Sequence, residues 1–130
     1  MDDERKKDLL SLADVALNPI FSDCGAFLKM FDFMAAGLPV LATPATARGI
    51  DLGGTEIVSF TTRERFIDDL RELLEERTEL ARSGAAGRCV VEERHSWETI
   101  SRDLGVLLRW HAGHRRSEEH TSELQSLAYL

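Results

Sequence analysis

Apolar residues fall into two regimes along this chain, and the change comes near residue 60. Upstream, short compact apolar runs alternate with stretches whose apolar positions recur every three or four residues, the helical period. Asp8, Leu9, Leu10, Leu12 and Ala13 suit the end of a short helix with one apolar face. Residues 15–17 read as a brief strand stopped by Asn18 and Pro19. A helix is expected from Gly25, with Phe27, Leu28, Phe31, Met34 and Ala35 on its apolar face and Gly37 as its C-cap. Residues 38–42 are too short for a helix and are punctuated by Pro39 and Pro44, which fits a buried parallel strand. Residues 45–54 read as a loop and residues 57–60 as a third strand.

Downstream only helical spacing remains. Thr61 and Glu64 form a capping-box pattern ahead of Phe66, Ile67, Leu70, Leu73 and Leu74. A second helix is expected from about Arg77 to Glu93, weakened by Gly84 and Gly87. Ser96 suits the N-cap of a last helix with Ile100, Leu104, Leu107 and Leu108 on its inner face and Trp97 packed on the core. Strands alternating with helices predict an α/β layer with a parallel sheet of about three strands, flanking helices and a helical C-terminal half.

Composition narrows the possible partners. At 130 residues the chain is one domain at most. Its formal net charge is −7, and no Lys/Arg cluster stands against that background, so a nucleic-acid groove is not expected. No apolar run approaches the roughly 20 residues of a membrane span, and the first eight residues are too charged for a signal peptide. Cys24 and Cys89 form neither a CxxC pair nor a zinc spacing, which suits reduced thiols in the cytoplasm. His111 and His114 have no carboxylate or cysteine beside them, so no metal site is expected.

Residues 23–50 carry the chemistry. A glycine turn at Gly25 opens a helix bearing Lys29 and Asp32, and a buried strand follows at once. The first N–H groups of a helix lack internal partners and carry partial positive charge, so this layout suits a phosphorylated ligand. From spacing alone, Lys29 and Asp32 also read as an i,i+3 ion pair on a solvated face. The segment Gly25, Leu28, Lys29, Asp32, Ala35, Gly37, Pro39, Val40 resembles the sugar-nucleotide motif of family 4 glycosyltransferases, which have the two-domain GT-B fold.

That resemblance implies a nucleotide-diphosphate sugar as donor, transferred to an acceptor with retention of configuration and without a required metal or cofactor. It implies that the backbone of Gly25, Ala26, Phe27 and Leu28 holds the diphosphate. Lys29 would neutralise the leaving group and so count as catalytic, and Asp32 would accept from the ribose hydroxyls. Cys24 falls where relatives have a first glutamate, a role a thiol does not fill. Arg48 lies in a loop resembling a family segment and reads either as a phosphate contact or as a structural arginine.

The resemblance runs over about residues 8–110 and implies an incomplete Rossmann-like sheet. Residues 1–112 are then part of the C-terminal donor-binding domain of a parent enzyme whose N-terminal domain is missing, and the chain by itself is expected to be inactive. Residues 113–130 read as a non-native tail, because residues 116–126 resemble a translated sequencing adapter. The alternative is a self-contained α/β ligand-binding or regulatory module without catalysis.

Overall fold

The computed structural model describes residues 2–22, 28–54 and 56–128, with side chains through Arg116. The elements are α1 (Asp3–Ser11), β1 (Ala16–Asn18), α2 (Lys29–Ala35), β2 (Val40–Ala42), a 3-10 turn (Pro44–Ala47), β3 (Val58–Phe60), α3 (Phe66–Glu75), α4 (Arg77–Arg94) and α5 (Trp97–Ala128). The three strands form one parallel sheet in the order β1-β2-β3. Ala16 is in register with Val40, and Val40 with Val58. The α/β expectation holds, and the carboxyl ends Asn18, Ala42 and Phe60 share one edge. The chain divides into two compact units, Met1–His95 and Ser96–Leu130.

The core of the first unit lies on one face of the sheet. Ala16, Val40, Ala42 and Val58 meet Met30, Met34 and Leu38, with Leu10 of α1 and Ala86, Val90 and Val91 of α4 packed around them. Met30 and Met34 are one turn apart and fully buried. Burial of side chains this size stabilises by roughly 1.5–3 kcal/mol each. The apolar face of α2 is therefore centred on Met30 and Met34, while Leu28 and Ala35, expected to face inward, are exposed.

Gly37 ends α2 as expected. It has φ +73°, Gly37 N–H donates to Met34 C=O at 2.9 Å, and Leu38 N–H reaches back to Phe33 C=O at 3.1 Å. That double closure is a Schellman motif, and it turns the chain directly into β2. Against Gly37 lies Gly84 of α4, where an added Cβ would stand 2.1 Å from the Gly37 carbonyl oxygen. Gly84 and Gly87 weaken α4 locally but are both buried where α2 and α4 pack together. Their absent side chains create the notch into which the end of α2 fits.

Two further expectations need correction. The capping box is not formed: α3 begins at Phe66 with no side-chain cap. Thr61 is instead buried, and its N–H donates to Ala42 C=O at 2.9 Å, extending the β2–β3 ladder by one bond. The inner face foreseen for α5 is also not buried. Trp97 is 84% exposed, and Ile100, Leu104, Leu107 and Leu108 are each exposed. The cap itself is present, since Ser96 Oγ accepts from Thr99 N–H at 3.1 Å.

Candidate functional site

The carboxyl edge of the sheet is built from short polar connections. Asn18 C=O accepts from Ile20 N–H at 3.1 Å and from Thr43 N–H at 3.4 Å, so the chain leaving β1 is tied to the end of β2. The Thr43 hydroxyl donates to Ile20 C=O. Thr46, fully buried, donates its hydroxyl to Thr43 C=O at 2.7 Å. Across the same edge the Arg63 guanidinium sits 4.5 Å above the Phe21 ring, joining the connections that follow β3 and β1. Within this bonded edge Asn18 is 5% exposed, yet its Nδ2 has no hydrogen-bond partner among the described residues.

Of the expected ligand residues, Gly25, Ala26 and Phe27 lie outside the described residues, as does Cys24. Leu28, Lys29 and Asp32 are all exposed at the start of α2. Lys29 and Asp32 do not pair with each other. Asp32 Oδ1 is 3.1 Å from Lys6 Nζ of α1, which leaves Lys29 without an ion pair among the described residues. Arg48 is exposed just after the 3-10 turn and is engaged within the protein.

A second cluster fastens the loop after the 3-10 turn. Arg94 Nη1 lies 2.7 Å from Asp51 Oδ2, Gly53 N–H donates to Asp51 Oδ1 at 3.0 Å, and His95 Nε2 is 2.7 Å from Asp51 C=O. The last contact makes Nε2 the protonated ring nitrogen, because a carbonyl only accepts. The His95 ring in turn packs on Phe31 of α2 with centroids 4.8 Å apart. Loop 49–54, α2 and the end of α4 thus meet at one point. Partners 43 and 44 residues apart in sequence leave no local signal of this cluster.

The arginine hydrogen bond, then the Gly53 amide, hold the Asp51 carboxyl below the usual carboxylate range. Asp69 is lowered likewise, first by the Thr61 hydroxyl and then by Arg65, whose Nε lies 3.0 Å from Asp69 Oδ1. The Thr61 hydroxyl is also 3.2 Å from Thr62 C=O, but the charged carboxylate is the stronger acceptor. Both carboxylates have depressed folded-state values, so their contribution is complete above the ordinary value of 3.8 and is lost as pH falls through the lowered ones. Urea midpoints measured from about pH 6 to about pH 2 should drop below about pH 4, with a shallower drop in the Asp51→Asn, Asp69→Asn double variant. An equal drop in that variant would remove these two groups from the acid response.

A depression of about 540 Å³ runs between the sheet and α3, lined by Leu41, Phe60, Thr61, Arg65, Asp69, Glu72, Glu76 and Glu79 among others. Its four carboxylates face one arginine that is already paired with Asp69 and Glu72. That charge balance repels a phosphorylated ligand. No group of three or more His, Cys, Asp or Glu side chains among the described residues could hold a metal. His114 is occupied by Trp110, with ring centroids 3.9 Å apart. No helix among the described residues is long and apolar enough to cross a membrane.

A family described as glycosyl transferase-like matches residues 8–104, from the end of α1 into α5. The chain belongs to that family. The matched span contains the whole sheet, α2 with Lys29 and Asp32, and the Asp51–Arg94–His95 cluster. No curated protein and no solved structure matches the chain. Membership in a glycosyl transferase-like family directs attention to the carboxyl edge, because open parallel sheets bind ligands outside the carboxyl ends of their strands. The sequence marks Asn18 only as a strand terminator, a polar residue that closes an apolar run.

Proposed function

We propose that this chain is part of the C-terminal, donor-binding domain of a GT-B, family 4 type glycosyltransferase. That enzyme moves a sugar from a nucleotide-diphosphate donor to an acceptor. The family match over residues 8–104 is the observation that carries this reading. Three features support it. The strands are parallel and expose one carboxyl edge. Lys29 begins α2 beside that edge, exposed and without an ion pair among the described residues. Among the described residues no strand lies on the outer edge of β1, where the domain's first strand would pair in the doubly wound order.

In this reading the backbone of Gly25, Ala26, Phe27 and Leu28 holds the diphosphate. As the bond between the anomeric carbon and the diphosphate oxygen breaks, negative charge grows on the leaving group, and the Lys29 ammonium stabilises it. Asp32 accepts from a ribose hydroxyl through Oδ2 while Lys6 holds Oδ1. Retention of configuration and independence from a metal follow the family type. The N-terminal domain supplies the acceptor site, residues 113–130 are a non-native tail, and the parent works in the cytoplasm.

Asp32 provides the test. In the full-length enzyme, Asp32→Ala should raise KM for the sugar nucleotide, and Asp32→Asn should raise it less, because the amide keeps one acceptor oxygen. Unchanged KM in both variants would take Asp32 out of the ribose role and leave it as the ion-pair partner of Lys6.

A further inference from the structure

We infer that Asn18 is a ligand-binding residue whose carboxamide N–H donates to a phosphate oxygen of a nucleoside diphosphate at the carboxyl ends of β1 and β2. The inference deepens the donor-binding reading above and rests on it. Its basis is an imbalance in hydrogen bonding. The backbone around Asn18 is bonded: its carbonyl takes two N–H groups, and Thr43, beside it, spends its hydroxyl on Ile20. The side chain is almost completely buried, and its Nδ2 exposes no surface and meets no acceptor among the described residues.

A buried donor left without an acceptor destabilises the fold, and nearly all such groups in folded proteins are satisfied. An apolar residue would fill the position at no such cost. The cost is tolerated where a group serves a bound state, as in sites that trade stability for function. The missing partner must be an acceptor, because an amide nitrogen only donates.

Position decides which acceptor. Asn18 is the last residue of its strand, in register with Ala42 at the end of β2, and the connection that leaves it leads to Lys29. A neutral donor on the edge from which α2 starts, with the Lys29 ammonium free of any ion pair among the described residues, suits an anionic oxygen, and a bond to a charged acceptor is stronger than one between neutral groups. Because Nδ2 is covered in the free protein, the oxygen reaches it only with a local shift of the surrounding chain.

Two measurements on the full-length protein, with UDP, GDP and ADP as probes, separate this role from a structural one. In Asn18→Leu, the apolar side chain removes the unsatisfied donor, so the thermal midpoint of the unliganded protein should equal or exceed that of wild type. Affinity for whichever diphosphate binds wild type should nevertheless fall at least about tenfold. Asn18→Ser, which keeps a donor on a shorter arm, should fall between. The matching nucleoside, lacking phosphates, should bind wild type and Asn18→Leu alike.

Wild-type diphosphate affinity in Asn18→Leu, alongside a loss in Lys29→Ala, would overturn the role of Asn18 and leave the donor-binding reading standing. A fall in both midpoint and affinity in Asn18→Leu, with both recovered in Asn18→Ser, would make Asn18 a structural residue. Failure of all three diphosphates to bind the wild-type protein would overturn both readings.

Discussion

Replacing Gly84 by alanine should lower the unfolding free energy of the Met1–His95 unit by about 3 kcal/mol or more. The new Cβ would lie 2.1 Å from Gly37 C=O, 3.0 Å from the Gly37 carbonyl carbon and 3.1 Å from Pro39 N. All three atoms are backbone, and Gly37 is pinned by the two hydrogen bonds of its Schellman turn, so no flexible side chain can yield. α4 must move off α2, and α2 carries the two fully buried methionines. Alanine's better helix propensity returns only about 1 kcal/mol.

For a unit of this size the net loss corresponds to a midpoint drop on the order of 12–24 °C. Gly87→Ala is the control. Its Cβ meets Ile57 Cγ2 at 3.2 Å and Met34 Cγ at 3.6 Å, side-chain atoms that can adjust, and the midpoint should change far less. Circular dichroism melts that show equal effects for the two variants would refute the notch as the basis of α2–α4 packing.

Lys29→Ala in the full-length enzyme should cost about 1.5–3 kcal/mol of transition-state stabilisation, the range for a lost hydrogen bond to a charged group. That is roughly a ten- to hundredfold fall in kcat/KM. The structure makes the variant clean to interpret. Lys29 is exposed and has no ion pair among the described residues, so its removal leaves no buried charge behind. Asp32 keeps Lys6 at 3.1 Å whether or not Lys29 is present. Part of the loss should appear in kcat, because the charge it meets grows as the leaving group departs. Steady-state kinetics with turnover equal to wild type would reduce Lys29 to a solvated side chain and remove it from the reaction.

The contrast between these two sites follows what a sequence can reveal. Gly37 was legible because its reason is local: a helical run ends, and a residue that tolerates positive φ is needed there. Gly84 and Gly87 read only as weak points in a helix, since the atoms they accommodate are distant in sequence: the Gly37 backbone, 47 residues away, for Gly84, and the Ile57 and Met34 side chains for Gly87. The three parallel strands were visible in compact apolar runs; β2 and β3 are narrower than those runs, with Leu38 N–H bonded to Phe33 and Ile57 C=O to Ser83 outside the ladder, and β1 is shifted by one residue to take in Asn18. Lys29 and Asp32 were found through a motif, but their i,i+3 pairing failed because α1 brings Lys6 against α2. Thr61 lost its capping role to the sheet edge for a similar reason. Asn18 gave almost no signal, since an unsatisfied donor is a property of its surroundings.

The exposure of α5 also governs what an optical measurement on this protein reports. The chain has two tryptophans, both on α5, with Trp97 84% and Trp110 57% exposed. The α/β unit up to His95 contains none. Intrinsic indole emission should therefore be red-shifted already in the native state and carry no reporter within the sheet or α2, whose loss the far-ultraviolet dichroism follows. An emission trace would follow the wrong half of the molecule, and a tryptophan placed at Phe31 or Phe33 would give α2 a fluorophore of its own.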